Sequence, residues 1–259
     1  MQSTLDIAAY EFNNPAITEA VIAARQRGVR VRVVTDNEDG LEDDKTTLHQ
    51  LQAAGIPIAT DTRTALMHDK FMILDGTAVV TGSWNFTVND TYRNNNNTLF
   101  LRSQDAVADY QAEFNEMFIE GRFGPTSPRN TLSPAFTLDG IPVQLFMGPE
   151  DDPMPGMVNA VSQAQHSVRF MAFSFTHADL RDTLLELAER AFPLKAFLRR
   201  QAAPRNLLPC PRCSAPGWTC GKMATRSSCI IKYSSLMKLQ SRSARSISQI
   251  TPPIPMMKT

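Results

Sequence analysis

The chain has 259 residues, of which 26 are Lys or Arg, 26 are Asp or Glu, and 42% are hydrophobic. This length allows one large domain or two small ones, and the composition excludes a collagen-like or wholly disordered chain. The balanced total hides a strong asymmetry. Residues 1–190 hold 14 basic and 26 acidic residues, a net charge of −12, whereas residues 191–259 hold 12 basic residues, no acidic residue and all four Cys.

The first 120 residues alternate strand-like and helix-like segments. Strands are predicted over residues 5–10, 29–34, 56–59, 71–74, 78–81 and 98–101, and helices over residues 15–27, 46–54 and 106–120. Asn14 followed by Pro15 is typical of a helix start, Gly28 of a helix end, and Asp75-Gly76 of a hairpin turn. Strands separated by helices predict an α/β fold with a mixed sheet flanked by helices.

The same pattern begins again after a segment rich in Pro, Ser and Gly at 124–140, which we interpret as a linker. Strands are predicted over 143–146 and 168–175, and helices over 157–165 and 178–190. A shift of 163 positions places Ala9, Tyr10, Phe12, Ile17 and Val21 on Ala172, Phe173, Phe175, Leu180 and Leu184. This repeat predicts duplicated halves.

The predicted organisation is therefore a first half over residues 1–123, the linker, and the start of a second half over 141–190. The first half lacks the strand and helix with which the second half opens, so the N-terminus is expected to begin inside its domain. It also lacks the basic flank and apolar run of a secretory signal, which favours a cytoplasmic location. No segment approaches the ~18 apolar residues of a transmembrane helix.

One string of polar residues in the first half indicates chemistry. It consists of His68, Lys70, Asp75, Gly82, Ser83 and Asn85, with the spacing His-x-Lys-x4-Asp-x6-Gly-Ser-x-Asn. Residues i and i+2 of a strand share a face, so His68 and Lys70 are expected to project together. An ammonium can bind phosphate oxygens while a neighbouring imidazole acts as a nucleophile or base. Asn85 can donate its amide to the same oxygens, and Gly82 allows a close backbone approach.

This string resembles the signature of the phospholipase D superfamily, position for position. The resemblance covers residues 5–120 and resumes over about 141–190, where Met171 to Thr176 resembles the opening strand of a second half. It implies a phosphodiesterase with no cofactor and no metal, in which one His forms a covalent phosphohistidine. A second His, from a second motif, protonates the leaving alcohol and then activates water. The residues carried over as catalytic are His68, Lys70, Asp75 and Asn85, with Gly82 and Ser83 in support.

Asn96 marks a departure from the family. It stands where many members have an acidic residue that accepts the proton of the second imidazole nitrogen, and its carbonyl oxygen is expected to orient that nitrogen less strongly. The acidic stretch Asp36 to Asp39 lacks the ligand spacing of a calcium loop and is interpreted as a solvated loop.

The resemblance favours hydrolysis or transfer of a phospholipid phosphodiester, with nucleic acid as the alternative substrate. A charge of −12 opposes binding to a polyanion and, more weakly, to an anionic membrane. A different alternative is a catalytically inactive fragment, because one motif supplies only one His. A homodimer could supply a second His68.

The four cysteines of the tail, Cys210, Cys213, Cys220 and Cys229, allow a zinc site or two disulfides. A third interpretation explains more. Shifted back by one base, permitted codons from Arg190 onward spell Gly-Val-Pro-Val-Lys-Gly-Val-Phe-Glu, a copy of the strand that begins at Gly28. Further on they spell a second His-x-Lys-x4-Asp-x6-Gly-Ser-x-Asn string. We therefore interpret residues 191–259 as a frameshifted, non-native segment that forms no stable domain.

Overall fold

The computed structural model describes residues 2–199, 218–222 and 228–233. The chain divides into two compact units, Met1–Pro153 and Met154–Thr259. The boundary therefore lies beyond the predicted linker, at the start of a helix.

The first unit is built on six strands: β1 (Thr4–Ala9), β2 (Arg30–Asp36), β3 (Ile58–Asp61), β4 (Lys70–Leu74), β5 (Ala78–Gly82) and β6 (Thr98–Leu101). They form one sheet in the order β3-β2-β1-β4-β5-β6. The first three strands run parallel, and β4, β5 and β6 each run antiparallel to the preceding strand in that order. The mixed sheet predicted from the sequence is confirmed.

The helices of this unit are α1 (Pro15–Gln26), α2 (Leu48–Ala53), α3 (Val88–Tyr92) and α4 (Gln104–Asn115). Helix α1 begins and ends as its sequence predicts. The Asn14 side chain accepts a hydrogen bond from the Ala16 N–H at 3.0 Å, and Gly28 follows the helix with a φ of 90°. Such a φ is open to glycine at little steric cost, which explains why the helix stops there.

The sheet buries apolar side chains on both faces. On one face, Ile7 and Val33 of the sheet lie in a core cluster with Leu51 of α2, and α1 packs there too. On the other face, Phe71 lies in a cluster with Phe114 of α4. Because both faces are covered, the chemistry of this unit is confined to the ends of the strands and to the loops that follow them.

The predicted linker is only partly irregular. It contains a 3-10 turn at Gly124–Thr126 and strand β7 (Ala135–Leu138), which pairs antiparallel with β8 (Ile141–Gln144). Asp139 and Gly140 join the two strands with φ values of 50° and 79°. The same Asp-Gly turn sequence occurs at Asp75-Gly76. The prediction of a linker over 124–140 did not include this hairpin.

The second unit repeats the first strand, helix and strand of the first unit. Helix α5 (Pro153–Ser162) is followed by β9 (Val168–Ala172), α6 (Ala178–Glu189) and β10 (Leu194–Arg199). A shift of 163 residues carries α1 onto α6, and β9 and β10 pair in parallel as β1 and β2 do. The repeat inferred from the sequence is thus present as a βαβ unit.

Three segments of the tail form strands, although the prediction that residues 191–259 form no stable domain stays a prediction. Strand β10 and two further strands, β11 (Trp218–Lys222) and β12 (Ser228–Tyr233), join β9 in the order β11-β12-β10-β9. In β10 the alternating Leu194 and Ala196 are buried, a two-residue period that the sequence analysis overlooked. Cys210 and Cys213 lie outside the described residues, and the frameshift itself stays a hypothesis.

Within the described ranges, no helix combines the length and apolar character needed to cross a membrane.

Candidate active site

The candidate site lies where the carboxyl ends of β1 and β2 meet the beginning of β4. Strand β4 runs antiparallel to β1, with Ala9 opposite Lys70. The next residue of the chain, Tyr10, therefore lies beside Asp69, and its N–H donates to the Asp69 carbonyl at 3.2 Å. The end of one strand and the start of another thus bring Tyr10 to the His-x-Lys segment.

His68 and Lys70 are brought together around the ring of Tyr10. The His68 ring lies 4.6 Å from the Tyr10 ring, centroid to centroid, at a tilt of 57°. The Lys70 Nζ lies 4.8 Å from the centroid of the same ring, within cation–π range, and donates to the His68 carbonyl at 2.6 Å. The expected proximity of the imidazole and the ammonium is therefore present.

The surroundings suit both side chains to phosphate chemistry. Desolvation, and next the charge of Lys70, lower the pKa of His68 below its usual 6.5, so the imidazole is mainly neutral at pH 7. Desolvation lowers the pKa of Lys70 to about 8, while Asp69, Glu11 and Asp90 act in the opposite direction. Near neutral pH the site thus holds an unprotonated nitrogen beside a retained positive charge.

Buried Asp36, at the end of β2, fixes the segment that carries His68. Its Oδ2 accepts from the N–H of Met67 at 2.9 Å, and its Oδ1 accepts from the N–H of Asp39 at 3.0 Å. Asp39 in turn accepts from the Tyr10 hydroxyl at 2.7 Å. The interpretation of this stretch as a solvated loop holds for exposed Asp39 but is wrong for Asp36, which is 1% exposed.

Ser83 and Asn96 form a polar group behind β5. The Ser83 hydroxyl donates to Asn96 Oδ1 at 3.0 Å and accepts from the Asn97 N–H at 3.1 Å. The Asn96 amide donates to the carbonyl of Asp90 at 3.2 Å. The contacts of Asn96 therefore join it to Ser83 and Asp90, and the expectation that its carbonyl orients an imidazole nitrogen is not met by these contacts.

Asp90, which the sequence analysis did not single out, links the asparagines to Lys70. Its carboxylate accepts from the N–H of Asn85 at 3.0 Å and from the side chain of Asn94 at 2.6 Å. Its charge acts on the pKa of both Lys70 and Glu11. Within the described part of the chain, the buried Asn85 Oδ1 has no hydrogen-bond partner, so this end of the side chain is not committed to the fold.

Gly82 allows β6 to approach closely, as predicted. Its φ is 155°, and a Cβ at this position would collide with the backbone carbonyl of Asn97. A larger residue would therefore displace β6 and the Asn96 segment attached to it.

Asp75 does not lie with His68 and Lys70. It follows the far end of β4, where its carboxylate accepts from the N–H groups of Gln2, Ser3 and Thr4 at 2.8–3.1 Å and from the Ser3 hydroxyl at 3.1 Å. These bonds hold the pKa of Asp75 well below its usual range. These contacts anchor the start of β1, and the catalytic role of Asp75 stays a prediction.

Two residues near His68 and Lys70 were missed by the sequence analysis. Tyr10 was noted only as a repeat position, and Glu11 was not considered. Desolvation, followed by the charges of Asp90 and Asp39, raises the pKa of Glu11. Neither residue belongs to a spaced motif, and only the register of β1 against β4 brings them to the site.

Comparison with known proteins gives consistent matches to the first unit. The family described as "Cardiolipin synthase, PLD-like domain" matches residues 1–118. The mitochondrial cardiolipin hydrolase of Xenopus tropicalis is 38% identical over 119 residues, which cover 46% of this chain and 56% of that protein. The phospholipase D of Rickettsia prowazekii is 34% identical over 109 residues, 42% of this chain and 53% of its own.

The chain spans about half the length of these curated relatives. Among solved structures, the phosphatidylserine synthase of Haemophilus influenzae Rd KW20 matches with a TM-score of 0.52 at 12% identity, covering 74% of this chain and 55% of that one. This likeness supports the mixed α/β fold.

Proposed function

Residues 1–118 belong to the phospholipase D superfamily, and from this premise we propose that the chain is a phosphodiesterase that cleaves a phospholipid through a phosphohistidine on His68. The observation that carries the proposal is the pairing of His68 and Lys70 around one aromatic ring, with the pKa of the imidazole lowered. The names of the matched relatives, cardiolipin hydrolase and phospholipase D, support a phospholipid as substrate.

In the first step, a neutral ring nitrogen of His68 attacks phosphorus. A P–N bond forms while the P–O bond to the leaving alcohol breaks, and an acid donates a proton to the departing oxygen. Lys70 neutralises charge that develops on the phosphoryl oxygens, and Asn85 donates its amide to them. In the second step, the group that donated the proton takes one back from water, the water oxygen forms a P–O bond, and the P–N bond breaks so that the imidazole is regenerated.

The acid of the first step cannot be the same His68, because its reactive nitrogen is occupied by phosphorus. We propose that His68 of a second copy of the chain supplies the proton, as an isologous dimer would allow. Activity per mole of protein should then rise with protein concentration until the dimer is saturated. Specific activity that stays constant through dilution into a purely monomeric sample, measured by light scattering, would rule the dimer out.

The substrate is tested with vesicles that contain either cardiolipin or phosphatidylcholine, and with plasmid DNA. Cardiolipin cleavage should release phosphatidate and phosphatidylglycerol, and the His68→Ala variant should release neither. Plasmid cleavage without lipid cleavage would replace the phospholipid with nucleic acid, an outcome that the charge of −12 on residues 1–190 disfavours. A folded chain without either activity would identify an inactive fragment. The cytoplasmic location stays a prediction.

A further inference from the structure

Tyr10 contacts both groups on which the proposed reaction depends. Its ring lies 4.6 Å from the His68 ring and 4.8 Å from the Lys70 Nζ, and its N–H is bonded to Asp69 between them. These three contacts hold one side chain against the nucleophile and against the phosphate-binding cation at the same time.

The ring is itself held in place from the opposite end. The Tyr10 hydroxyl donates to Asp39 at 2.7 Å, and Asp39 is bonded to buried Asp36, which also anchors the residue before His68. One chain of hydrogen bonds therefore fixes the tyrosine and the His68 segment relative to each other. A side chain that served only to fill space would not need the anchored hydroxyl.

We propose that Tyr10 is a positioning residue of this site, whose ring fixes the distance between the His68 imidazole and the Lys70 ammonium. The proposal rests on the proposed function. The cation–π contact holds the ammonium over the ring, where it can reach phosphate oxygens. The tilted packing of the two rings restricts rotation of the imidazole, which keeps one nitrogen directed at phosphorus.

The repeat offers a comparison within the chain. The position equivalent to Tyr10 in the second unit is Phe173, which has an aromatic ring but no hydroxyl. No His-x-Lys pair follows it in the described part of that unit. A ring alone is therefore compatible with the repeated fold, whereas the anchored phenol accompanies the His-x-Lys segment.

The experiment compares Tyr10→Leu, which removes the ring, with Tyr10→Phe, which removes only the anchor to Asp39. Phe173→Leu is the matched control in the second unit. For each variant, kcat and KM are measured on cardiolipin vesicles, and the His68 ring protons are followed by NMR as a function of pH. The NMR measurement does not depend on activity.

Tyr10→Leu should lower kcat by about 10- to 100-fold with a smaller effect on KM, because a displacement of ~1 Å at a reacting centre can cost ~100-fold. The His68 ring protons should lose the upfield shift caused by the tyrosine ring. The pKa of His68 should rise, because loss of the ring packed on the imidazole reduces its burial while Lys70, Asp36 and Asp39 remain. Tyr10→Phe keeps the ring but loses the anchor to Asp39, so its shift and its kcat should lie between those of Tyr10→Leu and the parent chain. Phe173→Leu should match the parent chain.

A Tyr10→Leu variant with unchanged His68 shifts, unchanged pKa and unchanged kcat would overturn the proposal, even if its melting temperature fell. Should Tyr10→Leu fail to fold, a Tyr10→Phe variant with the His68 shifts and the kcat of the parent chain would also overturn it, because the anchored hydroxyl is what distinguishes Tyr10 from Phe173. If instead the His68 shifts move as expected but His68→Ala keeps full activity, the positioning by Tyr10 stands and the proposed reaction fails. The two ideas are thereby tested separately.

Discussion

The two ends of strand β4 carry different parts of one sequence motif and use them differently. At the beginning of the strand, His68 and Lys70 contact Tyr10, and desolvation lowers the pKa of His68 and of Lys70. At its far end, Asp75 is surrounded by N–H groups that favour its charged form. The carboxylate of Asp75, which accepts from three backbone N–H groups, stabilises the fold. The partly desolvated imidazole of His68 has a lowered pKa, which suits it to act as a nucleophile.

The distance between the two ends explains the division. From Lys70 to Asp75 an extended chain advances roughly 16 Å, at ~3.3 Å per residue. A single phosphate group cannot contact residues at both ends of the strand at once. The spacing from Lys70 to Asp75 therefore reflects the length of a strand, and Asp75 lies too far from His68 and Lys70 to act on the same phosphorus atom.

Among substitutions at the two ends of β4, His68→Ala should have the largest effect on activity. Loss of the nucleophile should reduce phosphodiesterase activity by at least about a thousandfold, because the other nitrogen that could form a P–N bond, that of Lys70, is mostly protonated at neutral pH. Circular dichroism and melting temperature should remain close to those of the parent chain, since His68 is only partly desolvated and keeps part of its surface exposed to solvent.

His49 provides the matched control. It lies exposed on α2, and its Nδ1 is paired only with Gln52 at 3.2 Å. His49→Ala should therefore keep full activity. Residual activity of His68→Ala above about a thousandth of the parent value would remove the functional contrast between the two ends of β4.

Lys70 should give the second-largest effect, and a distinctive dependence on pH. Lys70→Ala should lower kcat/KM by about 100- to 1000-fold, the usual cost of removing one group that stabilises transition-state charge. The pKa of Lys70 is about 8, so its charge is present at lower pH and is lost as the pH rises through 8. Binding of sulfate, followed by NMR, should weaken between pH 7 and 9.

Lys70→Arg keeps its charge over this range, because the guanidinium pKa exceeds ~12. Its sulfate binding should stay constant from pH 7 to 9, even where its activity is reduced. An equal loss of binding in both proteins would assign the alkaline change to a group other than Lys70.

Asp75→Asn should give the smallest effect, and one on stability alone. Because the folded-state pKa lies below that of the unfolded chain, the charge of Asp75 stabilises the fold above about pH 4, and this contribution is lost as the pH falls through the folded pKa. The variant should lose about 1 kcal/mol at pH 7, at the low end for charged hydrogen bonds because the group is partly exposed.

Urea unfolding at pH 7 and at pH 3 measures this difference, which should shrink at the lower pH. The kcat of Asp75→Asn should equal that of the parent chain. A drop in kcat without a change in stability would restore the catalytic role first expected for Asp75.

Local sequence rules predicted the elements that support the site. The cap at Asn14, the stop at Gly28 and the Asp75-Gly76 turn depend on neighbouring residues alone, and each lies where it was expected. The alternation of strands and helices was sufficient to predict the mixed sheet. The proximity of His68 and Lys70 also follows from local geometry, because they are two positions apart along the chain and residues i and i+2 of a strand share a face.

The remaining features depend on which strands become neighbours. Tyr10 reaches His68 only because β1 pairs with β4, a contact between segments about 60 residues apart that no local pattern reveals. The structural role of Asp75 could have been inferred from the strand that separates it from His68. The hairpin of β7 and β8 was overlooked because Pro and Ser around it favoured a linker, although Asp139-Gly140 is itself a turn sequence.

The most direct test of the account is a search for the covalent intermediate. The protein is mixed with cardiolipin vesicles, quenched in alkali during the first turnover, digested and analysed by mass spectrometry. We expect a peptide that contains His68 and carries a phosphatidyl group on its imidazole. The adduct should be absent from His68→Ala and unaffected by Asp75→Asn. Product formation without any adduct, or an adduct on a different residue, would contradict it.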